Sequence, residues 1–361
     1  MIEEEVIRTL RKVKITHVLH LPCERIRLLL KRFTEEFRTV PLSREEEGVG
    51  ISAGLYMAGE KPVMVVQSSG FGNMINALMS LTRTYSFPLP ILISWRGVYG
   101  ERISAQKPLG EKIRNLLSTL DIPFTVFDGR NVSDLENTVA SAYEEQMITA
   151  VLLRPDIWNP SPEFKFDPRD YSSPEVSLNG GRARFTRYEI LDGLKDYLDG
   201  KIVVSNLGYP SRELYEILDQ PTNFYMLGSM GLVTSIALGL NIAGKEAISI
   251  DGDGSILMNT SAIFTAGLMS ERGLKILVID NSAYGSTGNQ KTASIKTDLA
   301  LVGMSAGLRT VRVFTPREIE KELEGDESTF VHVPARPGNA DVGLIPYKPE
   351  EIRDRFMEAI K

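Results

Sequence analysis

The sequence is poor in the residues on which several common kinds of site depend. Its 361 residues include one cysteine, Cys23, and three histidines, His17, His20 and His332. A single cysteine excludes an intrachain disulfide and fits a reducing cytoplasm. Three scattered histidines are too few for a zinc centre. A Ser-His-Asp hydrolase finds no support either, because it would need a well-placed histidine, and the three histidines are scattered.

Long apolar runs and an excess of positive charge are also lacking. The longest apolar stretch, 231–243, is too short for a membrane span and is rich in Gly, Ser and Thr. The first 14 residues lack the apolar core of a signal peptide. The formal net charge of −6 argues against a broad nucleic-acid-binding surface. We therefore expect a cytoplasmic protein with neither membrane nor nucleic acid as a partner.

Strand and helix patterns alternate along the chain and are interrupted once. The interruption, around residues 155–183, holds five prolines and ends in Gly180-Gly181. On both sides of it, short apolar strands alternate with amphipathic helices, as in parallel sheets covered by helices on both faces. The sequence thus predicts two doubly wound α/β domains, residues 1–157 and 184–361, joined by a linker over 158–183.

The sharpest chemical signal is the segment Gly252-Asp253-Gly254-Ser255, which directly follows an apolar strand. A strand that runs through a glycine turn into a helix directs backbone N–H groups at one point and suits a phosphate. The next apolar strand ends at Asp280-Asn281, 28 residues beyond Asp253. A βαβ unit brings such strand ends side by side.

Oxygen ligands at this edge suit Mg²⁺, which prefers carboxylate, amide and carbonyl oxygens. The predicted ligands are the Asp253 carboxylate, the Asn281 amide oxygen and the backbone carbonyl of Ala283. Taken alone, a Gly-Asp-Gly turn is usually structural. The turn combined with the offset to Asn281, between two apolar strands, indicates a site.

This combination resembles the signature of thiamine-diphosphate-dependent enzymes. Three segments of the second half, 252–259, 280–290 and 332–346, resemble the group of sulfopyruvate and phosphonopyruvate decarboxylases. Segments 44–59, 67–78 and 94–97 of the first half agree. The resemblance covers nearly the whole chain and implies the thiamine-diphosphate-binding fold, with a pyrimidine-side domain before a diphosphate-side domain. Because that group often carries the two halves as separate subunits, the chain resembles a fusion of them.

The resemblance also implies a carboxylic acid that hydrogen-bonds to N1′ of the cofactor pyrimidine, so that the cofactor's own amino group can act as base. Residues 45–47 supply three glutamates, of which one can point into the site because helix neighbours face different directions. Alignment with the family pattern selects Glu45, with Glu46 as the alternative. An acidic first helical turn, favoured by the helix dipole, is the structural explanation for the others.

Further cofactor contacts follow from the same resemblance. The carbonyl of Gly228 is expected to accept from the pyrimidine amine, and Met230 is expected to support the bend between the two rings, with Ser229 between them. The remaining expected cofactor contacts are Gly252, Gly254, Ser255, Gly70 and Gly72, the last two in a glycine turn predicted to follow the apolar strand 62–69. Residues 284–290 are interpreted as a loop over the site.

An anionic substrate needs cations near the strand ends. Arg96, which follows the apolar strand 89–95, is the first candidate, and Lys107 and Arg212 are secondary. Side chains of these types are more often surface charges. The resemblance also implies at least a homodimer with its sites at the subunit interface.

The function that the resemblance implies is decarboxylation of 3-sulfopyruvate to sulfoacetaldehyde and CO₂ in coenzyme M biosynthesis. Phosphonopyruvate or another small anionic 2-oxo acid is the alternative substrate. An NAD- or nucleotide-binding protein and an inactive scaffold are other hypotheses. A GxGxxG segment with a downstream acid is missing, which argues against the nucleotide-binding hypothesis.

Overall fold

The chain builds two parallel sheets, one in each half, as a computed structural model shows. The structure describes residues 1–159, called here the N-terminal half, and 178–361, called the C-terminal half. Most of the predicted linker, 158–183, therefore lies outside the described residues, and its boundaries stay a prediction. Within the described ranges, no helix is both long and apolar enough to cross a bilayer.

The first sheet has six strands in the order β2-β1-β3-β4-β6-β5. These are β1 (His17–His20), β2 (Arg38–Pro41), β3 (Pro62–Gln67), β4 (Leu89–Ser94), β5 (Phe124–Phe127) and β6 (Ile148–Leu153). All neighbours pair in parallel, for example Ile91 opposite both Met64 and Ala150. The central strands β4 and β6 are buried along their whole length, because helices cover both faces of the sheet.

The second sheet also has six parallel strands, in the order β13-β14-β10-β9-β7-β8, and a separate two-stranded hairpin joins β11 to β12. The strands are β7 (Val203–Ser205), β8 (Asn223–Tyr225), β9 (Ala247–Gly252), β10 (Leu274–Asp280), β11 (Ala283–Tyr284), β12 (Gln290–Lys291), β13 (Arg309–Arg312) and β14 (Thr329–Pro334). The predicted fold class, two doubly wound α/β units, is confirmed.

Sixteen α-helices surround the sheets in the described residues. Those of the N-terminal half are α1 (Ile2–Lys12), α2 (Arg27–Glu36), α3 (Glu45–Met57), α4 (Ser68–Ala77), α5 (Lys107–Gly110), α6 (Ile113–Thr119) and α7 (Val132–Glu144). Those of the C-terminal half are α8 (Arg187–Gly193), α9 (Lys195–Leu198), α10 (Tyr209–Ile217), α11 (Val233–Ile242), α12 (Asp253–Met258), α13 (Ser261–Met269), α14 (Leu299–Ser305), α15 (Pro316–Leu323) and α16 (Pro349–Ala359).

The two halves pack together mainly through α3 and α11, which are buried almost all round. Glycines make the close approach possible. A Cβ atom on Gly54 would lie 2.1 Å from the carbonyl oxygen of Ile236, and one on Gly239 would lie 2.2 Å from that of Ile51. Only a residue without a side chain fits at either position.

The structure corrects several local predictions. Gly70-Phe71-Gly72 does not form a turn but lies inside α4, which begins directly after β3 at Ser68 and continues as a π-helical segment over Leu78–Arg83. The sequence patterns also missed the short strands β8 and β13, the helix α14 and the hairpin. These elements are short, so they carry too few residues for a period to be recognised.

Candidate active site

The carboxyl edge of the second sheet holds a cavity of about 210 Å³. Neighbouring strands β9 and β10 pair in parallel with Ile279 opposite Gly252, so the residues that follow them meet at one edge. Its lining includes Met230, the turn 252–255, Asn281 and residues 283–287. The predicted metal and diphosphate residues are thus brought together.

The oxygen donors expected for a cation line this cavity. Asp253 begins α12 and is 2% exposed, and Asn281 is 6% exposed. The Asn281 amide oxygen accepts the N–H of Ala283 at 3.1 Å, which fixes the side chain against the Ala283 backbone. Burial and the nearby charge of Asp280 raise the pKa of Asp253. A bound cation would relieve both effects, so this donor set fits Mg²⁺.

Hydroxyl groups that the sequence reasoning missed surround the Asp253 carboxylate. Thr292 donates to Oδ2 of Asp253, and Ser294 lies 3.3 Å from the same oxygen. Ser294 also donates to Oδ1 of Asp280 at 2.8 Å. Burial alone would raise the pKa of Asp280, but hydrogen bonds from His332 and Ser294 hold it below its ordinary value. No motif marks these residues, because a hairpin return brings them to the site.

The segment 228–231 has the shape expected of a cofactor support. Ser229 and Gly231 have φ of +59° and +93°, so the chain turns sharply on both sides of Met230. The Met230 side chain lines the cavity, and a Cβ on Gly254 would lie 3.1 Å from its methyl carbon and 2.5 Å from the Tyr284 ring. Glycine at 254 therefore keeps the cradle open.

Ser255 connects the two segments of this cradle. Its hydroxyl accepts the N–H of Gly231 at 3.0 Å and also hydrogen-bonds the buried Asp251. The pKa of Asp251 is raised to about 6, chiefly by burial. Ser255 thus fixes the turn after β9 against the Met230 segment.

The N-terminal half holds this segment from the other side. The Tyr85 hydroxyl accepts the N–H of Leu227 at 2.8 Å and donates to the Tyr225 carbonyl at 2.9 Å. Ser80 and Ser229 hydroxyls lie 2.5 Å apart. A Cβ on Gly228 would lie 2.9 Å from the carbonyl oxygen of Ser80, which leaves room for glycine alone.

Glu45 and Glu46 are the two candidates for the acid at the cofactor pyrimidine, and Glu45 is the buried one of the two. It is 3% exposed, and its Oε2 accepts from the Asn73 amide at 2.9 Å. Its Oε1 lies against Gly70, where a Cβ would come within 2.0 Å. Gly70 therefore makes room for the Glu45 carboxylate, whereas a Cβ on Gly72 would meet only the Leu109 side chain at 3.3 Å.

The other two glutamates have local partners. Glu46 forms an ion pair with Arg44 at 3.2 Å. Glu47 accepts the N–H of Ser43 at 2.6 Å and the Thr265 hydroxyl at 2.6 Å, so it caps α3 and anchors it to α13. Because these contacts tie Glu46 and Glu47 to neighbouring residues, they favour Glu45 as the acid expected for the cofactor pyrimidine.

Arg96 lies in the same half as Glu45, and its backbone N–H donates to the Ser68 hydroxyl at the start of α4. Its guanidinium is buried and donates through Nε to Glu101 at 2.5 Å, and this bond lowers the pKa of Glu101 to about 2. Nη1 lies 3.9 Å from the Cys23 sulfur. Nη2 makes no hydrogen bond within the described residues, although a carboxylate oxygen of Glu24 is 3.7 Å away.

The two secondary candidates for binding the substrate, Lys107 and Arg212, lie away from Arg96 and do not line the cavity. Lys107 is exposed at the start of α5. Arg212 lies on α10 with its guanidinium over the Tyr209 ring at 5.4 Å and does not line the cavity. A cation that the sequence reasoning missed, Arg187, does line the cavity, and it donates to Glu213 at 2.7 Å and to Asn339 at 3.0 Å.

Comparison with family models places both halves in one family. Residues 2–116 match the model of the N-terminal TPP binding domain of thiamine pyrophosphate enzymes, and residues 206–333 match that of the C-terminal TPP binding domain. The chain belongs to the thiamine pyrophosphate (thiamine diphosphate) enzymes. The C-terminal match contains the whole segment from Met230 to the hairpin, and the N-terminal match contains Glu45 and Arg96.

Similarity to two relatives shows which group of thiamine diphosphate enzymes the chain belongs to. The chain is 40% identical to sulfopyruvate decarboxylase of Methanosarcina acetivorans over 99% of its own length and 97% of that protein. It is 30% identical to phosphonopyruvate decarboxylase of Streptomyces viridochromogenes, over 98% and 93% of the two chains. Within the thiamine diphosphate enzymes, the chain therefore belongs to the family of the sulfopyruvate decarboxylases.

Other matches divide at the boundary between the halves. The β subunit of Methanococcus maripaludis sulfopyruvate decarboxylase is 46% identical over 49% of this chain and 98% of the subunit. The α subunit of the same enzyme is 37% identical over 34% of this chain and 74% of the subunit. Benzoylformate decarboxylase of Polynucleobacter necessarius shares the fold, with a TM-score of 0.70 and 13% identity over 94% of this chain and 99% of that one.

Proposed function

We propose that this enzyme decarboxylates 3-sulfopyruvate without oxidation, giving sulfoacetaldehyde and CO₂, with thiamine diphosphate and Mg²⁺ bound at the cavity beside Asp253. The observation that carries the proposal is the similarity to a sulfopyruvate decarboxylase over essentially the full length of both chains. The same proposal includes a role in coenzyme M biosynthesis and a location in the cytoplasm.

The C-terminal half would hold the cofactor through residues that already line one cavity. Asp253, Asn281 and the carbonyl of Ala283 supply oxygens for Mg²⁺, and the N-terminus of α12 directs N–H groups toward a diphosphate. Gly228 offers its carbonyl, and Met230 fills the space against Gly254. The bound cofactor supplies an electron sink for the cleavage of the carbon–carbon bond.

Glu45 is the proposed acid for the cofactor pyrimidine. Asn73 donates to Oε2 and fixes the carboxyl plane, which leaves Oε1 to carry and exchange a proton. Gly70 keeps the space at Oε1 free of a side chain.

Arg96 is the proposed partner of the sulfonate. Glu101 holds Nε and thereby fixes the guanidinium plane, while Nη2 keeps its two N–H donors free of hydrogen bonds among the described residues. Arg25 lies nearby, with its guanidinium 3.8 Å from Glu101. A fixed guanidinium with free donors suits an oxyanion group better than a mobile lysine does.

The site is proposed to form between two copies of the chain. Among the described residues, those of the C-terminal half alone line the cavity at Asp253, and Asn73 and Gly70, which contact the Glu45 carboxylate, belong to the N-terminal half. The exposed apolar side chains Met258, Phe264 and Leu268 lie on α12, whose first turn lines that cavity, and on the following helix α13. A second copy that covered them would bring its Glu45 to the cofactor and produce two equivalent sites.

A decarboxylation assay tests the proposed function. CO₂ release from sulfopyruvate, phosphonopyruvate and pyruvate is measured with and without thiamine diphosphate and Mg²⁺. We expect sulfopyruvate to give the highest kcat/KM, and only with both cofactors present. A higher kcat/KM for phosphonopyruvate would reassign the substrate, in line with the similarity to a phosphonopyruvate decarboxylase.

A further inference from the structure

The return strand of the hairpin brings a threonine to the proposed metal ligand Asp253. Strand β11 carries Ala283, and β12 runs back beside it, with Ala283 opposite Lys291. The next residue, Thr292, is 3% exposed and donates its hydroxyl proton to Oδ2 of Asp253. Its own N–H donates to the carbonyl of Ser282 at 3.1 Å, so the backbone at Thr292 is fixed on the same hairpin.

A second chain of hydrogen bonds fixes the neighbouring carboxylate. The Nε–H of Arg312 donates a hydrogen bond to Nδ1 of His332 at 3.1 Å, since a guanidinium has no hydrogen-bond acceptor. Nδ1 must therefore be the acceptor, and the proton of the neutral ring lies on Nε2, which donates to Asp280 at 3.0 Å. The other Asp280 oxygen accepts the Ser294 hydroxyl at 2.8 Å, a shorter contact than the 3.3 Å from Ser294 to Asp253.

These assignments leave Thr292 as the hydroxyl that acts on Asp253. Ser294 has one proton and gives it to Asp280, whereas Thr292 gives its proton to Oδ2 of Asp253. Among residues 1–159 and 178–361, no side chain donates to Oδ1 of Asp253. One oxygen of the carboxylate is thus occupied, and the other is available to a cation.

We propose that Thr292 is a positioning residue that makes Asp253 a one-oxygen ligand and so favours Mg²⁺ over larger cations. The inference depends on the proposed metal role of Asp253. Mg²⁺ requires a near-ideal octahedron, whereas Ca²⁺ accepts carboxylates through one or both oxygens. With the Thr292 hydroxyl removed, Oδ2 becomes available and the carboxylate can rotate, which penalises Mg²⁺ more than Ca²⁺.

Titration calorimetry on the full chain tests this proposal. Apoprotein with saturating thiamine diphosphate is titrated with Mg²⁺ or with Ca²⁺, for the wild type and for Thr292→Val, Thr292→Ser and Asp253→Ala. Thr329→Val is the matched control, because Thr329 is also buried in the C-terminal half but donates to the carbonyl of Glu327 at 3.0 Å. The melting temperature of each apoprotein is recorded alongside.

We expect Thr292→Val to weaken Mg²⁺ binding by roughly 10- to 100-fold, as loss of a partner to a metal ligand commonly does. Ca²⁺ binding should weaken less, Thr292→Ser should restore the wild-type ratio of the two affinities, and Thr329→Val should leave that ratio unchanged. An equal loss for both cations, no rescue by serine, or a Thr292→Val result like that of Thr329→Val would overturn the proposal.

The Asp253→Ala variant separates this proposal from the one on which it depends. If Asp253→Ala abolishes Mg²⁺ binding while Thr292→Val behaves like the control, Asp253 remains a ligand and Thr292 has no positioning role. If Asp253→Ala binds Mg²⁺ normally, the metal assignment fails, and the role of Thr292 fails with it.

Discussion

Substitution of Gly54 by alanine should destabilise the contact between the two halves of the chain. The new Cβ would lie 2.1 Å from the Ile236 carbonyl oxygen, 2.8 Å from the Leu240 nitrogen and 2.9 Å from the Gly239 Cα. Non-bonded heavy atoms require about 3.5 Å, so α3 and α11 must separate by more than about 1 Å. All three obstacles are backbone atoms, and none can rotate away.

The size of the effect follows from two opposing contributions. Overpacking of a close-packed core costs about 1–3 kcal/mol and sometimes more, and a clash with backbone on a buried helix belongs at the upper end. The higher helix propensity of alanine relative to glycine offsets about 1 kcal/mol of this cost. We expect a net loss of about 2 kcal/mol or more in the free energy of unfolding.

Urea unfolding, followed by circular dichroism, measures this change as a lower transition midpoint. Gly325→Ala is the matched control, because a Cβ at Gly325 meets no atom within 4 Å. Gly239→Ala should resemble Gly54→Ala, since its Cβ would lie 2.2 Å from the Ile51 carbonyl. The double variant should lose less than the sum of the two, because one displacement relieves both clashes. Equal midpoints for Gly54→Ala and Gly325→Ala would refute the reasoning.

Three further predictions concern the proposed chemistry. Glu45→Gln should keep cofactor affinity in calorimetry but lose nearly all turnover, since an amide cannot exchange the proton; if Glu46→Gln is the inactive variant instead, the acid is misassigned. Arg96→Ala should raise KM far more for sulfopyruvate than for pyruvate, and equal effects on the two substrates would show that Arg96 does not bind the sulfonate. Mixing inactive Glu45→Gln chains with inactive Asp253→Ala chains should restore part of the activity, because mixed dimers regain one intact site. No recovery despite proven subunit exchange would mean that each site forms within one chain.

The fold could be predicted from the sequence to the extent that its elements were long and regular. Strands such as β4 and β10 are largely apolar, and each begins directly after a proline or a glycine. Strands β8 and β13, of three and four residues, show no such period. The sequence predicts a turn at Gly70 and Gly72, because these glycines follow an apolar strand and precede a helical segment. The structure puts them in α4, where the space at Gly70 serves the Glu45 carboxylate.

The residues of the candidate site also fall into two groups, those that a sequence motif marks and those that only the tertiary structure brings to the site. Asp253, Asn281 and Met230 belong to contiguous motifs, and the parallel pairing of β9 with β10 then brings them to one cavity. Thr292, Arg187 and Tyr85 reach the site through a hairpin return, a helix start and a contact between halves. Because those connections depend on tertiary packing, no local pattern marks the residues.

The Tyr85 hydroxyl, which hydrogen-bonds to both Tyr225 and Leu227, makes the position of the proposed cofactor support depend on both halves. A C-terminal half produced alone would keep every proposed metal ligand. It would lose the Tyr85 hydroxyl, which holds the backbone next to the Gly228 carbonyl. Where relatives carry the two halves as separate subunits, a hydroxyl in this place would couple subunit association to cofactor affinity. In a single chain, the same hydrogen bonds join the N-terminal half directly to the proposed pyrimidine end of the cavity.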